Sequence, residues 1–113
     1  MPGVYTVTQM NSYIKNMFRQ DFVLSRISVK GEVSNCKYHT SGHIYFSLKD
    51  GQGVMSAIMF AGSAKNLEFR LENGMQVIVS GRIDVYERDG KYQLYANAIE
   101  ADGQGDLYNN LKR

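Results

Sequence analysis

The apolar positions of this chain change period once. Near the start they fall at Val7, Met10, Ile14, Met17 and Phe18, the spacing of a single helical stripe. Thr6, with Gln9 three residues on, has the form of a capping box. The spacing predicts a helix from about Val7 to Arg19. Beyond it the period becomes two. Ile27, Val29, Gly31 and Val33 alternate with Arg26, Ser28, Lys30 and Glu32, which predicts a half-buried strand with a polar, partly basic outer face. Gly31 falls on the inner face, where a missing side chain permits a sharp bend.

The run 34–42 reads as a polar loop. The second strand is HIYFSLKD, with Ile44, Phe46 and Leu48 inward and His43, Tyr45, Ser47 and Lys49 outward. DGQG turns the chain into VMSAIMF, making a hairpin. Its parity places Met55, Ala57 and Met59 inward, and Val54, Ser56, Ile58 and Phe60 outward. GSAKNLEFRLENG breaks the alternation. Ser63 as an N-cap, Leu67 and Leu71 four apart, and Gly74 as a stop predict a short helix or helical turn. MQVIVSGRIDVY is a fourth strand, with Val77, Val79, Gly81, Ile83 and Val85 inward. ERDG turns it into KYQLYANAIEA, the fifth.

The expected architecture is therefore mainly β: a five-stranded, partly open Greek-key barrel of the OB-fold type. It carries an N-terminal helix and a short helix between strands three and four. Residues 1–103 form this domain, and 104–113 read as a linker or the start of a further domain. Such barrels usually bind ligands on the outer surface of strands two and three, between the loop after strand one and the loop joining strands four and five. Here those loops are 34–42 and 87–91.

Composition narrows the function little. The chain has 113 residues and a net charge of +2, so any affinity for a polyanion must come from a local basic stripe. One cysteine, Cys36, excludes an internal disulfide and fits a reducing, cytoplasmic setting. No run is long and apolar enough to cross a membrane as a helix.

Three chemistries compete for the stretch SNCKYHTSGHIYFSLKD. Cys36, His39 and His43 supply three zinc-type ligands, but no fourth lies nearby, and a closed site uses four. Catalysis lacks a set of placed roles. The carboxylates are scattered, Asp50 and Asp89 precede glycines as turn residues do, and no nucleophile motif occurs. Neither a metal nor a cofactor is expected. The third chemistry, binding of a polymer, uses more residues at once. Tyr45 and Phe60 share the outer face with Lys49, and Lys30 stands near. Lys37 and His39 flank one side, and Arg88 and Lys91 the other, while Arg82 and Tyr86 share the outward parity of strand four. Flat rings for bases and cations for phosphates are what single-stranded nucleic acid requires. Taken singly, each has a plainer explanation: tyrosine favours strands, and most lysines are solvated charges. The case rests on their joint placement. Docking onto another subunit or domain is the alternative, with Ile58, Ile78 and Val54 as the interface.

Gly31 to Asn35 (GEVSN), Ser41 to Asp50 (SGHIYFSLKD), the Met59–Phe60 pair and Tyr86 to Leu94 (YERDGKYQL) together resemble the N-terminal domain of exodeoxyribonuclease VII large subunits. The likeness runs from about Val4 to Tyr108. It implies an OB-fold that grips single-stranded DNA, in an enzyme that cuts such DNA from both ends and works with several copies of a small subunit. It also implies that the chemistry resides in a separate domain, so that this chain binds without cleaving. Phe60 is the stacking residue it favours. Relatives often carry a large apolar residue at Cys36, which implies packing there. They often carry a basic residue at Ala61, whose phosphate contact would pass to Lys65.

Overall fold

Alternating burial governs five strands in the computed structural model, which describes residues 2–102. The order is α1 (Val7–Gln20), β1 (Ile27–Tyr38), β2 (Ile44–Lys49), β3 (Val54–Met59), α2 (Ala61–Ala64), β4 (Gln76–Tyr86) and β5 (Lys91–Ala101). The strands close into one barrel in the order β1-β2-β3-β5-β4. All neighbours are antiparallel except β3 and β5, which run parallel and share two registered pairs, Ala57 with Leu94 and Ile58 with Tyr95. The core is what the alternation predicts: Val33, Ile44, Phe46, Leu48, Ala57, Met59, Val77, Val79, Ile83 and Leu94 are buried inside. The expected linker, 104–113, lies outside the described residues.

The expected loop 34–42 is mostly strand. β1 runs on to Tyr38, and only 39–43 connect it to β2. Its register shifts between Ser34, opposite Ser47, and Lys37, opposite Tyr45, so two residues of β1 face Phe46 alone. This is a β-bulge, with Asn35 at φ 50 in the left-handed region that asparagine tolerates. The bulge breaks the alternation, which is why the segment reads as a loop. It also decides which side chain stands beside Tyr45: uninterrupted pairing would place Cys36 there, and the bulge places Lys37.

The helix between β3 and β4 is shorter than expected and starts earlier. It spans four residues, and its N-cap is Phe60 rather than Ser63. The Phe60 carbonyl accepts the Ser63 and Ala64 N–H groups at 2.9 and 2.8 Å. Past it the chain is irregular, although Leu71 is buried in the core. The Tyr38 hydroxyl accepts the Leu71 N–H at 2.7 Å, which pins this connection to β1.

α1 has its capping box, with both the Thr6 and Gln9 bonds made. It packs on β4 in an unusual sense, polar side down. The Lys15 ammonium donates to the Val85 carbonyl at 2.6 Å and lies 3.4 Å from the Asp84 carboxylate. Asn11 donates to the Glu87 carbonyl at 3.0 Å, and the Ser12 hydroxyl bonds the Glu87 carboxylate. Phe18 stacks on Tyr92 with ring centroids 6.2 Å apart. No residue of α1 is buried, and most of the apolar stripe faces away from the barrel.

Candidate nucleic-acid interface

One transverse row of side chains crosses all five strands on the outer face. Lys37 of β1 is registered with Tyr45 of β2, Tyr45 with Ile58 of β3, Ile58 with Tyr95 of β5, and Tyr95 with Arg82 of β4. Registered partners project on the same side of a sheet, and adjacent strands lie about 4.8 Å apart, so the row runs about 19 Å along the curved wall of the barrel. Its sequence in space is cation, ring, aliphatic, ring, cation. Ile58 has the outward parity expected of it, yet it is buried, with a tyrosine on either side. It forms an apolar floor rather than an exposed interface.

Further rings stand beside this row. Phe60 is about half exposed and stacks on Tyr95 with centroids 5.9 Å apart and planes 29° from parallel. His43 meets Phe60 edge-on at 5.2 Å, and both His43 and His39 lie edge-on to Tyr45. Phe60 leaves the end of β3 and caps α2 in the same residue, so strand and helix together fix its direction. His43 Nδ1 accepts the Ala61 N–H at 2.9 Å, which leaves Nε2 as the donor of the neutral ring. His39 Nδ1 is bonded to Ser41, which shapes the 39–43 turn. At the other end of the row, the Arg82 guanidinium lies over the Tyr95 ring at 4.7 Å from its centroid.

Of the expected residues, Phe60, Tyr45, His43, His39, Lys37 and Arg82 come together here. Lys49 shares the face but lies four residues along β2 from Tyr45, about 13 Å away, and its ammonium is 3.8 Å from the Glu32 carboxylate. Lys30 and Lys49 border a separate groove of about 220 Å³ with Asp50, Val54 and Tyr92. Tyr86 and Lys91 form a registered pair at the far end of the β4–β5 hairpin, four residues beyond Arg82 and Tyr95, with Arg88 in the turn between them. That turn is held by α1 through Glu87 rather than standing as a free wall. Tyr95 is the residue that sequence reasoning passed over. With Leu94 and Ala96 inward, the parity of β5 places Tyr95 outward, and the barrel order then sets it against β3.

The three possible zinc ligands have separate partners. The Cys36 thiol donates to the Leu71 carbonyl at 3.4 Å and packs against the core, where burial raises its pKa. His39 and His43 bond Ser41 and Ala61. Among the described residues, no three histidine, cysteine or carboxylate groups are clustered to hold a metal ion. Likewise, none of the described helices is long and apolar enough to cross a membrane.

A closed five-stranded barrel of this strand order, with a short helix between β3 and β4, is the OB-fold. The chain belongs to the family described as OB-fold nucleic acid binding domain, which it matches over residues 5–100. Within that family it is similar to exodeoxyribonuclease 7 large subunits. It is 64% identical over 112 residues to that of Lachnoclostridium phytofermentans, covering 99% of this chain and 28% of the relative. It is 55% identical over 103 residues to that of Clostridium botulinum, covering 91% of this chain and 26% of the relative. The chain thus spans about a quarter of the length of these relatives. The resemblance carried by SGHIYFSLKD and its companion motifs is borne out. A replication protein A heterotrimer bound to single-stranded DNA contains a chain with a TM-score of 0.56 to this one. Its identity is 17%, over 78% of this chain and 67% of that one, a likeness of fold.

Proposed function

We propose that this domain binds single-stranded DNA for an exodeoxyribonuclease VII large subunit, whose full assembly includes the small subunit and whose cutting chemistry resides in another domain. The observation that carries the proposal is the row Lys37–Tyr45–Ile58–Tyr95–Arg82 with Phe60 beside it. Bases stack on Tyr45, Phe60 and Tyr95 over an apolar floor, while Lys37 and Arg82 neutralise phosphates at the two ends. His39 and His43 border the rings and donate to base or phosphate oxygens. Lys30, Lys49, Tyr86, Arg88 and Lys91 lie outside the row and act as a diffuse field rather than as direct contacts. Residues 1–103 constitute this binding unit, and a cytoplasmic setting fits its single thiol and its substrate.

Fluorescence anisotropy of a labelled oligonucleotide tests the proposal. Single-stranded DNA is expected to bind with steep salt dependence and little sequence preference, and a duplex of the same sequence much more weakly. Phe60→Ala should weaken binding by roughly 1–3 kcal/mol, about 5- to 150-fold, with the fold intact. Tyr95→Ala should do the same, whereas Lys49→Ala should have a smaller effect because Lys49 lies off the row. Equal losses at all three positions would refute the row, and undiminished binding by Phe60→Ala would refute stacking.

The docking alternative keeps only part of its proposed surface. Ile58 is buried, Ile78 is half-buried, and Val54 is exposed. The larger unpartnered apolar surface lies elsewhere, on α1.

A further inference from the structure

The row does not end in an isolated cation. Arg82 stands two residues before Asp84 on β4, and Arg19, in the last turn of α1, reaches from the helix to the same carboxylate. Both arginines approach one oxygen, Asp84 Oδ2, and both do so through Nε, at 3.5 Å from Arg19 and 4.0 Å from Arg82. The two guanidiniums therefore stand side by side, and the terminal N–H groups of each fork are left to donate elsewhere. The arginine side chains are 62% and 49% exposed, whereas that of Asp84 is 6% exposed.

Asp84 already has a counter-ion in Lys15, 3.4 Å away and mostly buried. Three cations thus share one negative charge, and the surplus faces solvent on the two arginines. Among the described residues, no acid besides Asp84 pairs with either of them. Asp21 accepts the Leu24 N–H at 3.0 Å, and Glu87 is bonded to Ser12, about two turns back along the helix. Two like charges held side by side over a buried, shared carboxylate repel each other, and an anion set against the open forks relieves that repulsion.

We infer that Arg19 binds the phosphate backbone of the strand that lies on the row, next to the phosphate held by Arg82, so that the binding surface continues from β4 onto α1. The inference rests on the strand-binding reading of the row. Continuity selects a backbone phosphate over a free anion. Arg82 is registered with Tyr95 and lies over its ring, 4.7 Å from the centroid. A strand stacked at Tyr95 delivers its backbone to these two forks. Both are set in advance: Arg82 rests between Tyr95 and Asp84, and Arg19 on Asp84 at the end of a helix that Asn11, Ser12 and Lys15 pin to the barrel. Little side-chain ordering is then required when the phosphate arrives. Mounting α1 polar side down is what brings Arg19 to the edge of the row.

Anisotropy titrations across a salt series test the site. Each phosphate contact on a single strand contributes about 0.7 to the slope of log K against log salt. Arg19→Gln is expected to make that slope shallower by about this amount, and to weaken binding equally for oligonucleotides of different sequence. Arg19→Lys should keep the wild-type slope, because the charge remains. Lys91→Gln, at the far end of the β4–β5 hairpin, should change the slope much less. Circular dichroism establishes that each variant is folded. If the wild type binds and Arg19→Gln keeps its slope, the site is overturned while the row stands. An equal change in Lys91→Gln also overturns it, since the attraction would then be diffuse. A wild type that binds no single strand fails at the row itself, and the site falls with it.

Discussion

Gly81→Ala is expected to be the most damaging single substitution in the barrel. A Cβ at this position would lie 2.0 Å from the Tyr95 carbonyl oxygen and 2.9 Å from its carbonyl carbon. These are backbone atoms, so no rotamer change relieves the clash. The register of β4 and β5 shifts between Ser80 and Gly81, with Asn97 bulged out opposite, and the Tyr95 backbone comes up against Gly81. The strands must part, and β4 is also bound to β1 at the same residue, where Gly81 faces Ile27. A loss of more than about 3 kcal/mol is expected, in the range of strong overpacking. Urea denaturation of the wild type and the variant reads it directly. Any folded remainder should also bind oligonucleotide poorly, because Tyr95 is the residue displaced. A midpoint within error of the wild type would mean that the two strands separate here far more easily than the register implies.

The second large effect is expected at Asp84. It stands on the outward parity of β4 and is nonetheless buried. Lys15, Arg19 and Arg82 approach its carboxylate at 3.4, 3.5 and 4.0 Å, and the Val85 N–H donates to it at 2.7 Å. Burial alone would raise its pKa, but the Val85 hydrogen bond and the Lys15 and Arg19 charges outweigh it and hold the pKa below the ordinary aspartate value. Asp84→Ala removes the counter-ion of the mostly buried Lys15 and loosens α1 from the barrel. A cost of about 3 kcal/mol follows from stranding a buried charge. The pH dependence has a definite sign. A depressed carboxyl pKa stabilises the fold above the unfolded-state value, and this contribution is lost as pH falls through the folded-state value. Wild-type stability should therefore decline below about pH 4, the ordinary aspartate range. Asp84→Asn should start less stable at neutral pH and show a shallower acid decline. Parallel pH curves for the two proteins would show that the cluster has little energetic weight.

Much of this was legible in the residues, for a physical reason. A two-residue period is a direct imprint of one buried face, so the inward sets of the first four strands could be read off, including Gly31 and Gly81. The helix cap was equally plain, because Thr6 and Gln9 interact locally. Information broke down where the backbone departs from its period. The bulge at Asn35 hid the last third of β1 and the position of Lys37 beside Tyr45. The bulge at Asn97 lies in β5, the strand whose outward Tyr95 went unnoticed. Asp84 read as one more scattered carboxylate, because its two nearest cations, Lys15 and Arg19, come from a helix some 70 residues earlier in the chain. The stripe on α1 was visible, but periodicity reports only that a helix has two faces. It does not report which face the barrel takes.

The parallel contact between β3 and β5 has a consequence for how binding and folding are joined. It closes the barrel with only two registered pairs, whereas β4 and β5 share ten. It is the narrowest joint in the wall, and Phe60 and Tyr95 face each other across it. A nucleic-acid strand stacked on both rings would act as a clasp, stitching together the two parts of the sheet that the backbone holds least. Ligand binding then also becomes a stabilising term for the fold, growing with the logarithm of ligand concentration. Amide exchange at Ala57, Ile58, Leu94 and Tyr95 should slow on adding oligonucleotide more than exchange along the β1–β4 ladder. In that sense the barrel is completed by what it holds.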